Sequence, residues 1–404
     1  MAEVENAKPK TEEIDYSLAN PDTVTKYKDA AAISQRVLVE IEKAAIDGAS
    51  LVSLCEKGDK LLEEETAKVY NSKKVKVVVK GIAFPTTVSP ADIITPYSPL
   101  STDADEASKT LKTGQLVKIQ LGAHIDGFPA IVGSTIIVAS ASGETPAPTP
   151  AQADLLLATH YTTELLYRMM LPPSVDTVSS PAAEGEKKQA KKPYTATQIN
   201  TVLKKVAETY GVSLVESTTT YQLERNEIEA KKRIVVNPQE GLKSEGNPEV
   251  AEAWGVEVAL SSGSGKAKVL ELRPTLLRKT GTTFMLKRAT SKQTYSEVAK
   301  KFGSFPFSLR QLSDERTAKM GVLECVRGNL LRQYEVQGEK DGKEVSRVFS
   351  TIIITKNGIQ KITSPSKSLL EIAGDVSDKK ITDEEVLKIL EIPLNKNKPK
   401  SKKK

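Results

Sequence analysis

Leu116-Val-Lys-Ile-Gln-Leu-Gly-Ala-His-Ile-Asp-Gly-Phe-Pro-Ala-Ile-Val-Gly-Ser-Thr-Ile-Ile-Val138 is the stretch on which the reading of the whole chain turns. Its β-branched and aliphatic residues predict two strands joined at Gly127. In the first strand Val117, Ile119 and Leu121 alternate with Lys118, Gln120 and Gly122, so the spacing sets Gln120 off the apolar face.

Outward from this hairpin the chain alternates strands and helices. Asn20-Pro21-Asp22 reads as a helix start, with proline where its missing N–H is harmless. Apolar residues then recur at helical spacing from Val24 to Ala45, and Gly48 closes the run. Ser50 is placed to cap a second helix. A strand follows from Lys76, and the proline-rich 85–100 cannot form a central strand. Beyond the hairpin, 141–153 and 177–193 read as low-complexity loops around a helix from Leu155 to about Met170. Further helical periodicity covers Ile199 to Tyr210 and roughly 284–340, where Ser313 is expected to cap a helix opened by Asp314 and Glu315. Strand-like runs lie at 212–216, 254–260 and 348–355. No short repeat is present, so the pattern is α/β or α+β rather than a solenoid.

Composition narrows the function classes. The start is hydrophilic and no run approaches membrane length, so neither a secretory signal nor a membrane partner is expected. Cys55 and Cys325 are too few for a disulfide framework. The chain therefore reads as nucleocytoplasmic. Its 58 basic and 52 acidic residues leave a formal charge of +6. Lys396, Lys398, Lys400, Lys402, Lys403 and Lys404 account for the excess, so the basicity belongs to a tail spanning 391–404. Lysines without interspersed acids gain counter-charge only from a partner.

Several segments, in order, carry a resemblance. They are Gly81–Thr86, Leu116–Val138, Ser261–Lys268, Phe305–Arg310, Lys319–Cys325 and Asn357–Thr363. Over about 15–390 the chain resembles the proliferation-associated, ErbB-receptor-binding family, non-peptidase relatives of type-2 methionine aminopeptidase. That likeness implies an α+β pita-bread fold over 21–390, a flexible 1–20 and a helical insertion near 284–340. The length of the two low-complexity loops points to a fungal branch.

The related enzymes hold two divalent metals with two aspartates, a histidine and two glutamates. The corresponding positions here are Gln120, Ile131, the Thr218–Thr220 run, Glu257 and about Phe349. A substrate-binding histidine would fall near Pro96 or Tyr97. Only Glu257 keeps an anionic oxygen, and one carboxylate cannot hold two like-charged ions at bonding distance. The resemblance, with these replacements, implies a pseudoenzyme with no metal, no cofactor and no catalytic residues. His124 and His160 lack a serine elbow or cysteine companion, so ordinary structural roles are expected. Gly263-Ser-Gly-Lys266 lacks the spacing and hydroxyl of a phosphate loop.

Basic segments remain as binding candidates: Lys73-Lys74-Val-Lys76, Lys231-Lys232-Arg233, Lys287-Arg288, the tail, and Arg310, Arg316, Lys319, Arg327 and Arg332 in the helical insertion. No base-reading motif is legible. The resemblance implies a monomer that binds the large ribosomal subunit and its RNA near the tunnel exit, in cytoplasm and nucleus or nucleolus. DNA binding is the alternative, because a fungal member of the family is associated with curved DNA. A residual metallo-aminopeptidase is the third reading.

Overall fold

The computed structural model describes residues 15–72, 79–175, 177 and 192–396. Helices α1 (Pro21–Ala44) and α2 (Leu51–Lys68) lead into strand β1 (Lys80–Pro90), a short helix α3 (Ala104–Ala107) and the hairpin β2 (Leu116–Ile125) and β3 (Phe128–Ile137). Next come α4 (Pro150–Met169), α5 (Ala196–Tyr210), β4 (Ser213–Leu214), β5 (Thr219–Leu223), β6 (Arg233–Val235), β7 (Glu252–Ser261) and β8 (Ala267–Val269). The insertion contains β9 (Leu276–Lys279), α6 (Ala289–Lys301), β10 (Phe307–Ser308), α7 (Glu315–Arg327) and β11 (Leu331–Gln333). The chain closes with β12 (Gln337–Glu339), β13 (Val345–Thr355), β14 (Gly358–Lys361), α8 (Leu369–Ala373) and α9 (Glu384–Leu390).

The main sheet runs β1-β2-β3-β13-β7-β5-β6, with β14 and β4 added at its sides, and every pairing is antiparallel. Asp126 and Gly127 turn the hairpin at positive φ, 53° and 80°. All the long helices cover one face. α1 and α2 pack on Val117, Ile119, Leu121 and Val132, and α4 and α5 pack on Trp254, Val256, Val258 and Ile352. The opposite face is concave and carries the residues aligned with a metal site. Both faces of β2 are therefore buried, Lys118 and Gln120 included, so Gln120 is off one apolar face only to enter another.

Caps were legible from sequence: Asn20 accepts from Asp22 N–H and Ser50 from Ser53 N–H. Boundaries moved elsewhere. Pro85 and Pro90 do lie in a strand, but it is the sheet edge and its register slips between Phe84 and Thr87. Helix α4 starts at Pro150, with Thr149 and Gln152 forming a capping box, so only 141–149 of the expected 141–153 loop is loop. Most of 177–193 falls outside the described residues, as do 1–14, Lys73, Lys74, Lys76, Lys398, Lys400, Lys402, Lys403 and Lys404. Residues 15–20 are fixed rather than free, Tyr16 lying 3.9 Å under the Arg225 guanidinium. The expected tail starts later than 391, because Ile392 and Leu394 pack on the core and Asn395 bridges to Gly358.

The insertion is not wholly helical: α6 and α7 lie against a three-stranded sheet, β10-β9-β11. Asp314, not Ser313, caps α7, and Ser313 instead donates to Glu297. Among the described residues no helix is long and apolar enough to cross a membrane.

Candidate functional site

Antiparallel register brings the aligned positions into one row across the concave face. Gln120 pairs with Gly133, Gly133 with Phe349, and Phe349 with Glu257. Ile131 stands two residues from Gly133 on the same strand face. Thr220 completes the row, its hydroxyl accepting from Glu257 N–H at 3.1 Å. The positions that the resemblance implied thus lie together on one sheet face.

Chemically, the row is rebuilt as core. Ile131 and Phe349 belong to a buried apolar cluster with Phe84, Phe128, Leu276 and Phe305, drawn from the hairpin, β1 and the insertion. A Cβ added at Gly255 would lie 2.5 Å from the Phe349 ring, so glycine there makes room for the aromatic. Gln120 is 3% exposed and its Oε1 has no partner among the described residues.

Glu257 keeps its carboxylate but faces a cation on its own sheet. Arg347, two residues before Phe349, holds Nε 3.9 Å from Glu257 Oε1 and donates through Nη1 to the Ile94 carbonyl. Burial raises the Glu257 pKa, and Arg347 opposes that rise. Burial also lowers the pKa of Arg347. Among the described residues no three His, Cys, Asp or Glu side chains converge. A neutral amide, a hydrocarbon, a phenyl ring and a guanidinium do not fit a pair of divalent ions, which need several anionic oxygens. Sequence reasoning missed Arg347; a lone charge inside Val345–Thr355 was the available signal.

The histidines have structural settings. His124 lies in β2, stacked on Phe305 with centroids 4.4 Å apart, and its Nδ1 accepts from Gly127 N–H. Burial pulls its pKa down to about 4. His160 sits on α4 edge-on to Tyr161, and burial lowers its pKa too. Tyr97 is buried in the cluster under α1 and α2. The Gly263–Lys266 loop is filled from within, since Gly265 N–H and the Ser264 hydroxyl both donate to Glu339 Oε1.

The expected basic surface divides sharply. Arg310 is not a surface residue: its guanidinium is 2.6 Å from Asp59 and donates to the Thr86 carbonyl, clamping the insertion to α2 and β1. Lys319 is 2.5 Å from Asp103, and Arg332 pairs with Glu229. Lys231, Lys232 and Arg233 are met by Glu245, Glu249 and Glu252. All these acids are distant in sequence or on neighbouring strands, which a one-dimensional charge pattern hides. Lys287, Arg288, Arg316, Arg327 and Lys396 are exposed. Helix α6 adds a feature the sequence reading missed. Arg288, Lys292, Ser296 and Lys300 recur at intervals of four and are all exposed. The helix's one acid, Glu297, is taken by Ser313.

No family model matches the chain. A curated relative, the curved DNA-binding protein of Schizosaccharomyces pombe, is 39% identical over 398 residues, 96% of each chain. Proliferation-associated protein A of Dictyostelium discoideum is 30% identical over 388 residues, covering 96% of this chain and 92% of the relative. Among solved structures, a thermophilic Arx1 shares 51% identity and a TM-score of 0.87, over 93% of this chain and 100% of that one. Methionine aminopeptidase of Thermotoga maritima, at 16% identity with a TM-score of 0.51 over 85% of this chain and 98% of its own, shows the fold alone. The chain has the pita-bread fold and belongs to the proliferation-associated, ErbB-3-binding-protein family of methionine-aminopeptidase-like proteins.

Proposed function

We propose that the protein is a non-peptidase factor that docks on the large ribosomal subunit and grips its RNA with the insertion, working in ribosome biogenesis or translation in the nucleus or nucleolus and the cytoplasm. The observation that carries this reading is the outer face of α6. Arg288, Lys292 and Lys300 line it, Lys287 stands beside it, and no acid occupies the first turn. Cations on a helix hold fixed spacings, so they fit one phosphate surface rather than any polyanion. The lysine tail, Lys396 to Lys404, adds affinity without choosing a site, because point charges release counterions from any polyphosphate.

Peptide hydrolysis has no support in the rebuilt row, where Gln120, Ile131 and Phe349 supply no anionic oxygen. Purified protein given cobalt or manganese should leave a methionyl tripeptide intact. Duplex DNA is the second reading, favoured by the name of the Schizosaccharomyces pombe relative, since the same cations could follow a bent backbone without base contacts. A salt series separates the two: cosedimentation with large subunits should persist at salt that dissociates curved duplex. Tighter binding to duplex at every salt would reverse the assignment.

A further inference from the structure

Helix α7 presents a second outward face of different chemistry. Arg316, Met320, Leu323 and Arg327 recur at intervals of four, three and four, so they form one stripe. All four are exposed, Met320 by 54% and Leu323 by 48%. On one flank of the helix the 280–288 segment adds Phe284, 51% exposed, and Met285, 86% exposed. This segment is held in place: Lys287 and Arg288 N–H groups donate to Glu324, and the Phe284 ring lies where a Cβ on Gly328 would reach it at 2.6 Å. On the other flank runs a groove of about 440 Å³, whose lining mixes Leu272, Leu309 and Val322 with the charged Glu271, Arg273 and Lys319.

Water-exposed methionine, phenylalanine and leucine grouped beside arginines match the composition of protein–protein contacts. Nucleic-acid surfaces are polar and strongly positive instead, as α6 is. The charge at the rim specifies the partner's sign. Arg316 and Arg327 end the stripe and Lys287 and Arg288 edge it; of the nearby acids Glu271, in the groove, is exposed, and the others are engaged. Glu324 holds the loop, Asp314 caps the helix, Glu315 accepts from Ser101 and Asp103 takes Lys319 and Arg273.

We propose that the outer face of α7 is a docking surface for an acidic amphipathic helix of a partner protein. The partner's apolar side would cover Met320 and Leu323 and enter the flanking groove, with its Asp or Glu residues meeting Arg316 and Arg327. Helix-in-groove recognition uses apolar anchors at such helical spacing. Covering one large apolar side chain is worth about tenfold in affinity. Arg316, Met320, Leu323 and Arg327 belong to α7 alone, while Lys287 and Arg288 lie between this face and the cationic row of α6.

The test uses the full chain and fluorescence anisotropy. The probe is a labelled synthetic peptide with leucines at helical i, i+3, i+4 and i+7 positions and glutamates on both flanks. Controls are a scrambled peptide, a version with lysine for glutamate, and oligouridine. The acidic peptide should bind about tenfold or more tighter than either control peptide. The double substitution Met320→Lys and Leu323→Lys, and separately Leu323→Ala, should each weaken it about tenfold or more, while cosedimentation with large subunits is unchanged. Both sites are half exposed, so unchanged thermal melting is expected and checks the fold. Equal binding of the scrambled peptide, or peptide binding indifferent to both variants, overturns the proposal. So does loss of oligouridine binding in an Arg316→Glu, Arg327→Glu variant, which would make the face an RNA surface. Failure of the ribosome reading would show as absent cosedimentation with peptide binding intact.

Discussion

Three side chains show how a residue's type can survive in sequence while its work changes. Glu257 remains a carboxylate, but Arg347 now stands beside it at 3.9 Å. Restoring aspartate at Gln120 should therefore yield no methionine removal and no stoichiometric cobalt by elemental analysis; measurable turnover by Gln120→Asp would contradict the rebuilt row. Arg310 read as a binding cation and is a buried clamp. Substituting it by methionine leaves Asp59 unpaired and should cost about 3–5 kcal/mol in urea unfolding. Changing Asp59 to leucine in the same chain should recover part of the loss. His124 has the clearest pH signature. Its folded pKa of about 4 lies below the value near 6.5 expected when unfolded. The unfolded chain therefore takes up this proton first, and the contribution is intact above about 6.5 and lost as pH falls toward 4. Stability measured between those limits should decline less steeply in His124→Gln than in the native chain. The family resemblance pointed to the row, whose members antiparallel register brings together; it could not point to Arg347 or to the Asp59 partner of Arg310, which folding brings from 251 residues away.

At the scale of elements, the caps and hairpin were readable because they are local. Asn20, Ser50 and Gly127 act on backbone within a few residues. The start of α4 was misread because Pro146, Pro148 and Pro150 look like linker, although Thr149 and Gln152 cap each other and Pro150 opens the first turn. Thr149→Ala should lower stability by about 1 kcal/mol, whereas trimming within 141–146 should leave the melting temperature nearly unchanged. Equal effects would mean that the loop packs as structure. The stretch 284–340 was expected to be helical because its strands β10 and β11 are only two and three residues long. Strands that short leave little alternation to detect. Helices α6 and α7 make a second point, since both are exposed and basic, yet only α7 interleaves its cations with apolar residues.

For the whole molecule, one sheet carries two histories. One side packs α1, α2, α4 and α5, while the other carries Gln120, Ile131 and Phe349 beside an apolar cluster. On the proposed reading, function lies on the outside, where α6 of the insertion carries exposed cations at regular spacing. The central claim is that this array docks the protein on ribosomal RNA. The direct measurement is cosedimentation with purified large subunits at near-physiological salt, comparing the native chain with a variant carrying Arg288→Glu, Lys292→Glu and Lys300→Glu. The account predicts that the native chain pellets with the subunits and that the variant, folded and with its tail intact, stays in the supernatant. Native-like pelleting of the variant, or a native chain that never pellets, would contradict it.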